Sequence, residues 1–162
     1  MKDDKALREH LVKLLKGHEA HAPYEKAVAD FPAELRGKVS HEAEHSAWQL
    51  LEHLRIAQWD ILEFSRDAHH QSPDWPSGYW PASPEPPDPK AWDRSVDLFR
   101  KDLESMCSLV EDEKTDLFAR ISHGDGQTIL REALLVADHN AYHVGQLVLL
   151  RRILGAWSGS PG

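Results

Sequence analysis

Two histidines in the C-terminal third of the chain, His139 and His143, have the residue type and spacing that point most directly to chemistry. They stand four positions apart in a segment, residues 127–154, that is otherwise rich in Leu, Val and Ala. Residues i and i+4 of an α-helix lie on one face, about 6 Å apart, so both rings can point towards one atom. Because neutral imidazole binds Zn, Ni, Cu and Fe ions, the pair predicts one side of a metal site.

His53 is the candidate for the third ligand. It lies in segment 46–67, whose apolar residues recur at spacings of three and four, which is typical of a helix that faces a partner helix. Catalytic zinc sites commonly have three protein ligands and one open position. Of the chain's 11 histidines, only His53, His139 and His143 lie within strong apolar periodicity. The alternative interpretation is that all three are core histidines satisfied by ordinary hydrogen bonds.

Two polar residues, Asp60 and Gln146, lie near these histidines in the sequence without being predicted ligands. Asp60 lies two turns from His53, about 10 Å along the helix axis, so we expect it to contact an Arg or Trp rather than the ion. Gln146 follows His143 by about one turn and either holds a water or ligand at the site or makes an interhelical hydrogen bond.

Four segments with helical periodicity must position these residues. We predict helices over residues 4–20, 46–67, 88–110 and 127–154, with a short helical piece at 24–31. Ser46 with Gln49 forms a capping-box pattern, Asp88-Pro89 resembles a helix start, and Asp125 or Thr128 can cap the last helix. Since no strand pattern is present, the fold class is all-α, a four-helix bundle. We expect one domain over residues 1–157 and a frayed tail at 158–162.

The buried stripes also follow from periodicity. In the first helix we expect Leu7, Leu11, Leu14 and Leu15 to face the core. The last helix carries two interleaved apolar stripes, which predicts that it is the central helix and contacts neighbours on two sides. Trp48 and Trp59 lie roughly opposite the main stripe of their helix, so we expect them to cover another helix or a dimer surface.

The connection at residues 69–88 contains six prolines together with Trp75, Tyr79 and Trp80. Proline at this density excludes regular helix and central strand, and a loop this long is usually functional or disordered. One hypothesis is that residues 75–80 form a lid over a pocket. The other is that the aromatic rings fill the open end of the core.

Composition excludes several classes of function. The net charge of −8 argues against a nucleic-acid-binding protein, so we expect a small molecule or a second copy of the chain as partner. Neither a signal peptide nor an apolar run of membrane-spanning length is present, which favours a cytoplasmic protein. Cys107 is the single cysteine and is expected to act as a small apolar group on a helix.

Two segments carry a resemblance to the DinB-like superfamily, which includes the YfiT-like metal-dependent hydrolases. They are SAWQLLEHL at residues 46–54 and DHNAYHVGQ at residues 138–146. The resemblance implies an up-down-down-up four-helix bundle, often a homodimer, with a divalent metal held by His53, His139 and His143. Similar members include thiol-dependent S-transferases and isomerases that use low-molecular-weight thiols.

The resulting hypothesis is a metal-dependent enzyme, a thiol-dependent S-transferase or a hydrolase, that acts on a small molecule. The ion is expected to be Zn or Ni, and the substrate to include a low-molecular-weight thiol. The competing hypothesis is a non-catalytic helical dimer in which the metal is structural or the protein binds a small molecule.

Overall fold

The computed structural model describes residues 4–157, and within this range the chain is all-helical, with no β-strand. This confirms the predicted fold class. The proposed frayed tail at 158–162 lies outside the described residues. Two single 3₁₀ turns accompany the helices, at Ala33–Leu35 and Ser77–Tyr79. The α-helices are α1 (Lys5–Lys16), α2 (Tyr24–Val28), α3 (Ala47–Arg66), α4 (Ala91–Glu111) and α5 (Ile129–Ile153).

The long helix α3 runs antiparallel to α5. His53 in the first half of α3 contacts His143 in the second half of α5, whereas the carbonyl of Phe64, near the end of α3, accepts a hydrogen bond from His123, which precedes α5. The neighbouring helix α4 is parallel to α3. The Phe99 carbonyl of α4 accepts a hydrogen bond from Gln58 in the middle of α3. Further along both helices, Asp102 of α4 lies close enough to Glu63 of α3 for their charges to interact.

Helix α1 packs against α4 in the opposite direction. Arg8, in the first half of α1, donates to the carbonyl of Val110 at the end of α4, and Lys16, the last residue of α1, lies near the earlier α4 residue Cys107. Since α4 is parallel to α3 and α3 is antiparallel to α5, α1 and α5 point the same way. The four long helices therefore run up-down-down-up, as the resemblance implied.

Local chemistry at the helix ends explains where the helices begin and end. Ser46 and Gln49 form a complete capping box at the start of α3, and Thr128 caps α5. Three predicted helix ends are wrong by three residues or more. Helix α2 ends at Val28 instead of residue 31, because the backbone of Ala29 is extended. Helix α1 stops at Lys16 because Gly17 adopts a left-handed conformation with φ of 64°. Helix α4 begins at Ala91 because Asp88 accepts a hydrogen bond from the amide of Lys90 in a turn.

The buried face of α1 also differs from the prediction. Leu14 is 51% exposed, and Arg8 and Val12 lie in the interface with Leu11 and Leu15. The reason is that the Arg8 guanidinium binds carbonyl groups at the end of α4 while the rest of its side chain is covered. A pattern that counts only apolar residues assigns such an arginine to the surface.

The core consists of two hydrophobic clusters along the bundle. Between them lie two buried amides, in which Asn140 donates to Gln58 and Gln58 donates to the carbonyl of Phe99. Helix α5 contacts both α3 and α1, which confirms the predicted contact on two sides. It is not more central than its neighbours, because α3 and α4 also each pack against at least two long helices. Cys107 is buried, as expected.

Trp48 is buried in the core, so it does not form a dimer surface. Trp59 packs edge-on against His70 in the loop that follows α3. Within residues 4–157, no helix combines the length and the hydropathy that crossing a membrane requires.

Candidate metal centre

The fold brings the three predicted histidines together. The Nε2 atom of His53, on α3, lies 3.1 Å from Nε2 of His143 and 3.0 Å from Nε2 of His139, both on α5. One nitrogen from each ring lies within 4.8 Å of the others, and no cysteine or carboxylate of the described residues joins the group. Asp138, next to His139 in sequence, is exposed.

The second nitrogen of two of these rings determines their tautomers. Nδ1 of His53 lies 3.1 Å from the Tyr79 carbonyl, which can only accept, so His53 donates from Nδ1. Nδ1 of His143 lies 2.6 Å from Oε1 of Gln146 and donates to it. Both neutral rings therefore present a lone pair at Nε2.

These two lone pairs lie 3.1 Å apart, within hydrogen-bond distance, but neither nitrogen carries a proton to donate, because both protons are on Nδ1. A divalent cation between the rings would turn this repulsion into two favourable bonds, and a histidine whose other nitrogen donates to a carbonyl is the usual form of a metal ligand. The donor set therefore fits a metal ion. The third ring, His139, has a buried Nδ1 without a hydrogen bond of good geometry, although the neighbouring Asn140 side chain lies close enough to raise the pKa of the ring slightly against the effect of burial.

Burial keeps all three rings neutral. It lowers the pKa of His53 to about 4, although the hydrogen bond to the Tyr79 carbonyl acts in the opposite direction. Burial, followed by the neighbouring His143, lowers the pKa of His139 to about 3. The pKa of His143 is also lowered by burial, against the effect of Gln146. Because imidazole binds metal in its neutral form, the protein presents the competent form at neutral pH.

The loop between α3 and α4 covers one side of the centre. Trp80 stacks on His53 with ring centroids 3.8 Å apart, and His45 stacks on the other face of Trp80 at 3.9 Å. Trp75 is 72% exposed, so it does not fill the end of the core. The Trp80 ring thus covers one side of the site and Tyr79 contacts His53 through its carbonyl, whereas Trp75 lies at the surface.

Asp60 anchors this loop. Its Oδ1 accepts from His70 at 2.7 Å and its Oδ2 from the Tyr79 hydroxyl at 2.6 Å. The expectation that Asp60 contacts an Arg or Trp is therefore wrong. The roles of His70 and Tyr79 were missed because a proline-rich loop has no periodicity from which a contact could be inferred.

A cavity of about 320 Å³ adjoins the centre, and His143, Gln146 and Trp80 form part of its wall. A larger cleft of about 1250 Å³ lies between α1 and the loop after α4, but none of the three histidines lines it. Among the pockets described, the smaller one is the one whose wall includes a member of the histidine group, His143.

Comparison with known proteins identifies the family. The family model of the DinB superfamily matches residues 16–147, which include all three histidines and most of the chain. No curated protein and no solved structure gives a significant match. On the strength of the family match, this chain belongs to the DinB superfamily.

Proposed function

We propose that this protein binds one divalent metal ion, Zn or Ni, through His53, His139 and His143, and that it uses the ion as an enzyme acting on a small molecule. The observation that carries the proposal is the convergence of three Nε2 atoms, two of them with lone pairs fixed by hydrogen bonds at Nδ1. Three imidazoles without a fourth protein ligand are the donor set of a catalytic zinc site.

The reaction class that we propose is thiol-dependent S-transfer or hydrolysis. A bound ion would lower the pKa of a thiol or a water and so make it a nucleophile at neutral pH. Other residues of the chain orient the histidine rings, exclude water and leave room for a substrate. The Tyr79 carbonyl and Gln146 orient two of the rings, Trp80 shields His53 from water, and the cavity beside His143 offers room for a substrate.

Metal analysis tests the site. Protein purified without a nickel column, or reconstituted with zinc, should contain about one ion per chain, the stoichiometry of a single centre. His53→Ala and His143→Ala should each lose this ion, whereas His10→Ala, at an exposed position on α1, should retain it. Circular dichroism confirms that each variant is folded. A folded wild-type protein that does not take up added zinc would contradict the proposal.

A non-catalytic protein with a structural metal is the competing proposal. A structural zinc site is closed by four protein ligands, and the group here contains three among the described residues. Replacing zinc by cobalt distinguishes the two proposals. An open site changes its visible absorption when azide is added, and a closed site does not.

We further propose a homodimer, the assembly that the family resemblance implies. Sedimentation equilibrium of the full chain should give twice the mass of one chain. The mass of a single chain at micromolar concentration would contradict this part of the proposal.

A further inference from the structure

The wall of the cavity beside His143 is partly apolar and partly acidic. One side is apolar and comes from the outer face of α5, where Tyr142, Leu149 and Ile153 are 64%, 58% and 39% exposed. Another part of the wall comes from the segment before α3 and includes Glu42 and Glu44, both of which are exposed. Among the described residues that line this cavity, none is Lys or Arg.

The Glu42 carboxylate retains its charge at neutral pH. The hydroxyl of Ser40 donates a hydrogen bond to the Glu42 carboxylate, and this bond lowers the pKa of Glu42. No cation of the cavity wall compensates the two carboxylates. An anionic group placed in this cavity would therefore be repelled, and a cationic group would be attracted.

The size of the cavity limits its occupant to a small molecule. Its volume of about 320 Å³ is near the lower end of the range of about 300 to 1,000 Å³ that is typical of ligand pockets. The exposed rings and aliphatic side chains of α5 offer contacts to a hydrocarbon or aromatic body, which such pockets commonly bind. His143 belongs both to the histidine group and to the cavity wall, so one ligand can reach both.

From the charge and shape of these walls we infer the substrate class of the proposed metal site. The substrate carries a metal-binding group at one end and a short apolar body whose far end is cationic or uncharged, and it is not a polycarboxylate. This inference rests on the proposed metal function. It narrows the proposed thiols to those without an anionic group remote from the sulfur.

Three thiols of equal length provide the test: 6-aminohexane-1-thiol, 6-mercaptohexan-1-ol and 6-mercaptohexanoate. Each is titrated into the cobalt-loaded protein, and binding is measured from the sulfur-to-cobalt charge-transfer absorption. The amine should bind about tenfold more tightly than the carboxylate, with the alcohol between them. The positive charge of the ion would favour the carboxylate, so a preference for the amine cannot come from the metal. The preference should decrease at high salt concentration.

Two double variants test whether the preference for the amine over the carboxylate comes from the cavity wall. The double variant Glu42→Gln with Glu44→Gln should remove most of the difference between amine and carboxylate while leaving cobalt binding unchanged. The matched control is Glu104→Gln with Glu113→Gln, two exposed residues at and beyond the C-terminal half of α4, away from the start of α3. This control should retain the wild-type preference.

The possible failures are distinguishable. If cobalt does not bind, the proposed metal function fails and the inference fails with it. If cobalt binds but none of the thiols gives the charge-transfer band, the cavity is not the ligand site and the inference alone is overturned. Equal affinities, tighter binding of the carboxylate, or a preference that survives in the Glu42 and Glu44 double variant would also overturn it.

Discussion

Gln146 is the side chain that fixes the orientation of His143, because it accepts the hydrogen bond from Nδ1 at 2.6 Å. Loss of such an outer partner typically weakens metal binding by about 10- to 100-fold. We therefore expect Gln146→Ala to reduce zinc affinity by at least about tenfold, as measured by competition with a chromophoric chelator. Leu134→Ala, an exposed position of the same helix, is the control. Equal affinities in both variants would mean that Gln146 does not orient the ligand.

Cys107 should affect stability at alkaline pH. Burial raises the pKa of its thiol from 9.0 to about 11, so the folded chain retains a proton that the unfolded chain loses. Between these two values the folded state binds more protons, and the free energy of unfolding must fall as the pH rises. Urea denaturation at pH 8, 9.5 and 11 should show a steeper decline for the wild type than for Cys107→Ala. Parallel declines would contradict the assignment, because the tyrosines titrate in both proteins.

At the scale of secondary structure, Arg8 joins α1 to the end of α4. Its two Nη atoms donate to the carbonyls of Val110, Asp112 and Thr115 and to the Asp4 carboxylate, at distances between 2.7 and 3.0 Å. The bond to the Val110 carbonyl is buried, whereas those to the Asp112 and Thr115 carbonyls are part-buried. Removing the guanidinium leaves the Val110 carbonyl without this donor, which costs about 1 to 3 kcal/mol, and two further charge-assisted bonds are lost.

Arg8→Met, which retains most of the apolar stem, should therefore lower the free energy of unfolding by about 3 kcal/mol. Arg94→Met is the control, since Arg94 pairs with Asp88 at an exposed position, and such pairs contribute about 0 to 1 kcal/mol. Urea denaturation monitored by circular dichroism measures both. If the two variants lose equal stability, the cap at the end of α4 is not a major source of stability.

The loop over the metal centre is held through Tyr79, whose hydroxyl binds Asp60 and whose carbonyl binds His53. Burial and the bond to Asp60 raise the pKa of Tyr79 to about 12, so the hydroxyl remains a donor at neutral pH. Tyr79→Phe removes the side-chain bond but retains the carbonyl. The looser loop should weaken metal affinity by about tenfold, whereas Tyr142→Phe, at a position 64% exposed, should leave it unchanged.

Much of this architecture could be predicted from the sequence because helices impose a period on it. The spacing of Leu50, His53 and Leu54 places a histidine beside an apolar stripe, and the i, i+4 spacing places His139 and His143 on one face. The contacts of Arg8 and Tyr79 could not be predicted in this way. They join a polar side chain to backbone groups of another element, and such carbonyls have no signature in the sequence.

At the scale of the whole molecule, the proposed metal centre is not the main contact that holds the bundle together. The three histidines join only α3 and α5, which already share a hydrophobic cluster and the hydrogen bond between Asn140 and Gln58. A bound ion would stabilise the folded state by RT ln(1 + [L]/Kd), but we expect the helices to form without it.

Removal of the metal by dipicolinate should therefore lower the melting temperature while the far-ultraviolet circular dichroism at 25 °C stays helical. Zinc added back should restore the melting temperature in the wild type and should have no effect in His139→Ala. Loss of the helical spectrum on chelation would instead favour a structural ion and the non-catalytic alternative.

The face-to-face contact of Trp80 with His53 gives the centre an optical readout of its own. If His53 holds the ion as proposed, an indole 3.8 Å from its ring is close enough for an open-shell ion such as Ni²⁺ to quench the indole fluorescence by energy or electron transfer. Zn²⁺ has a filled d shell and has no such pathway. The emission of this tryptophan, isolated as the difference between wild type and Trp80→Phe, would report which metal occupies the protein without any added label.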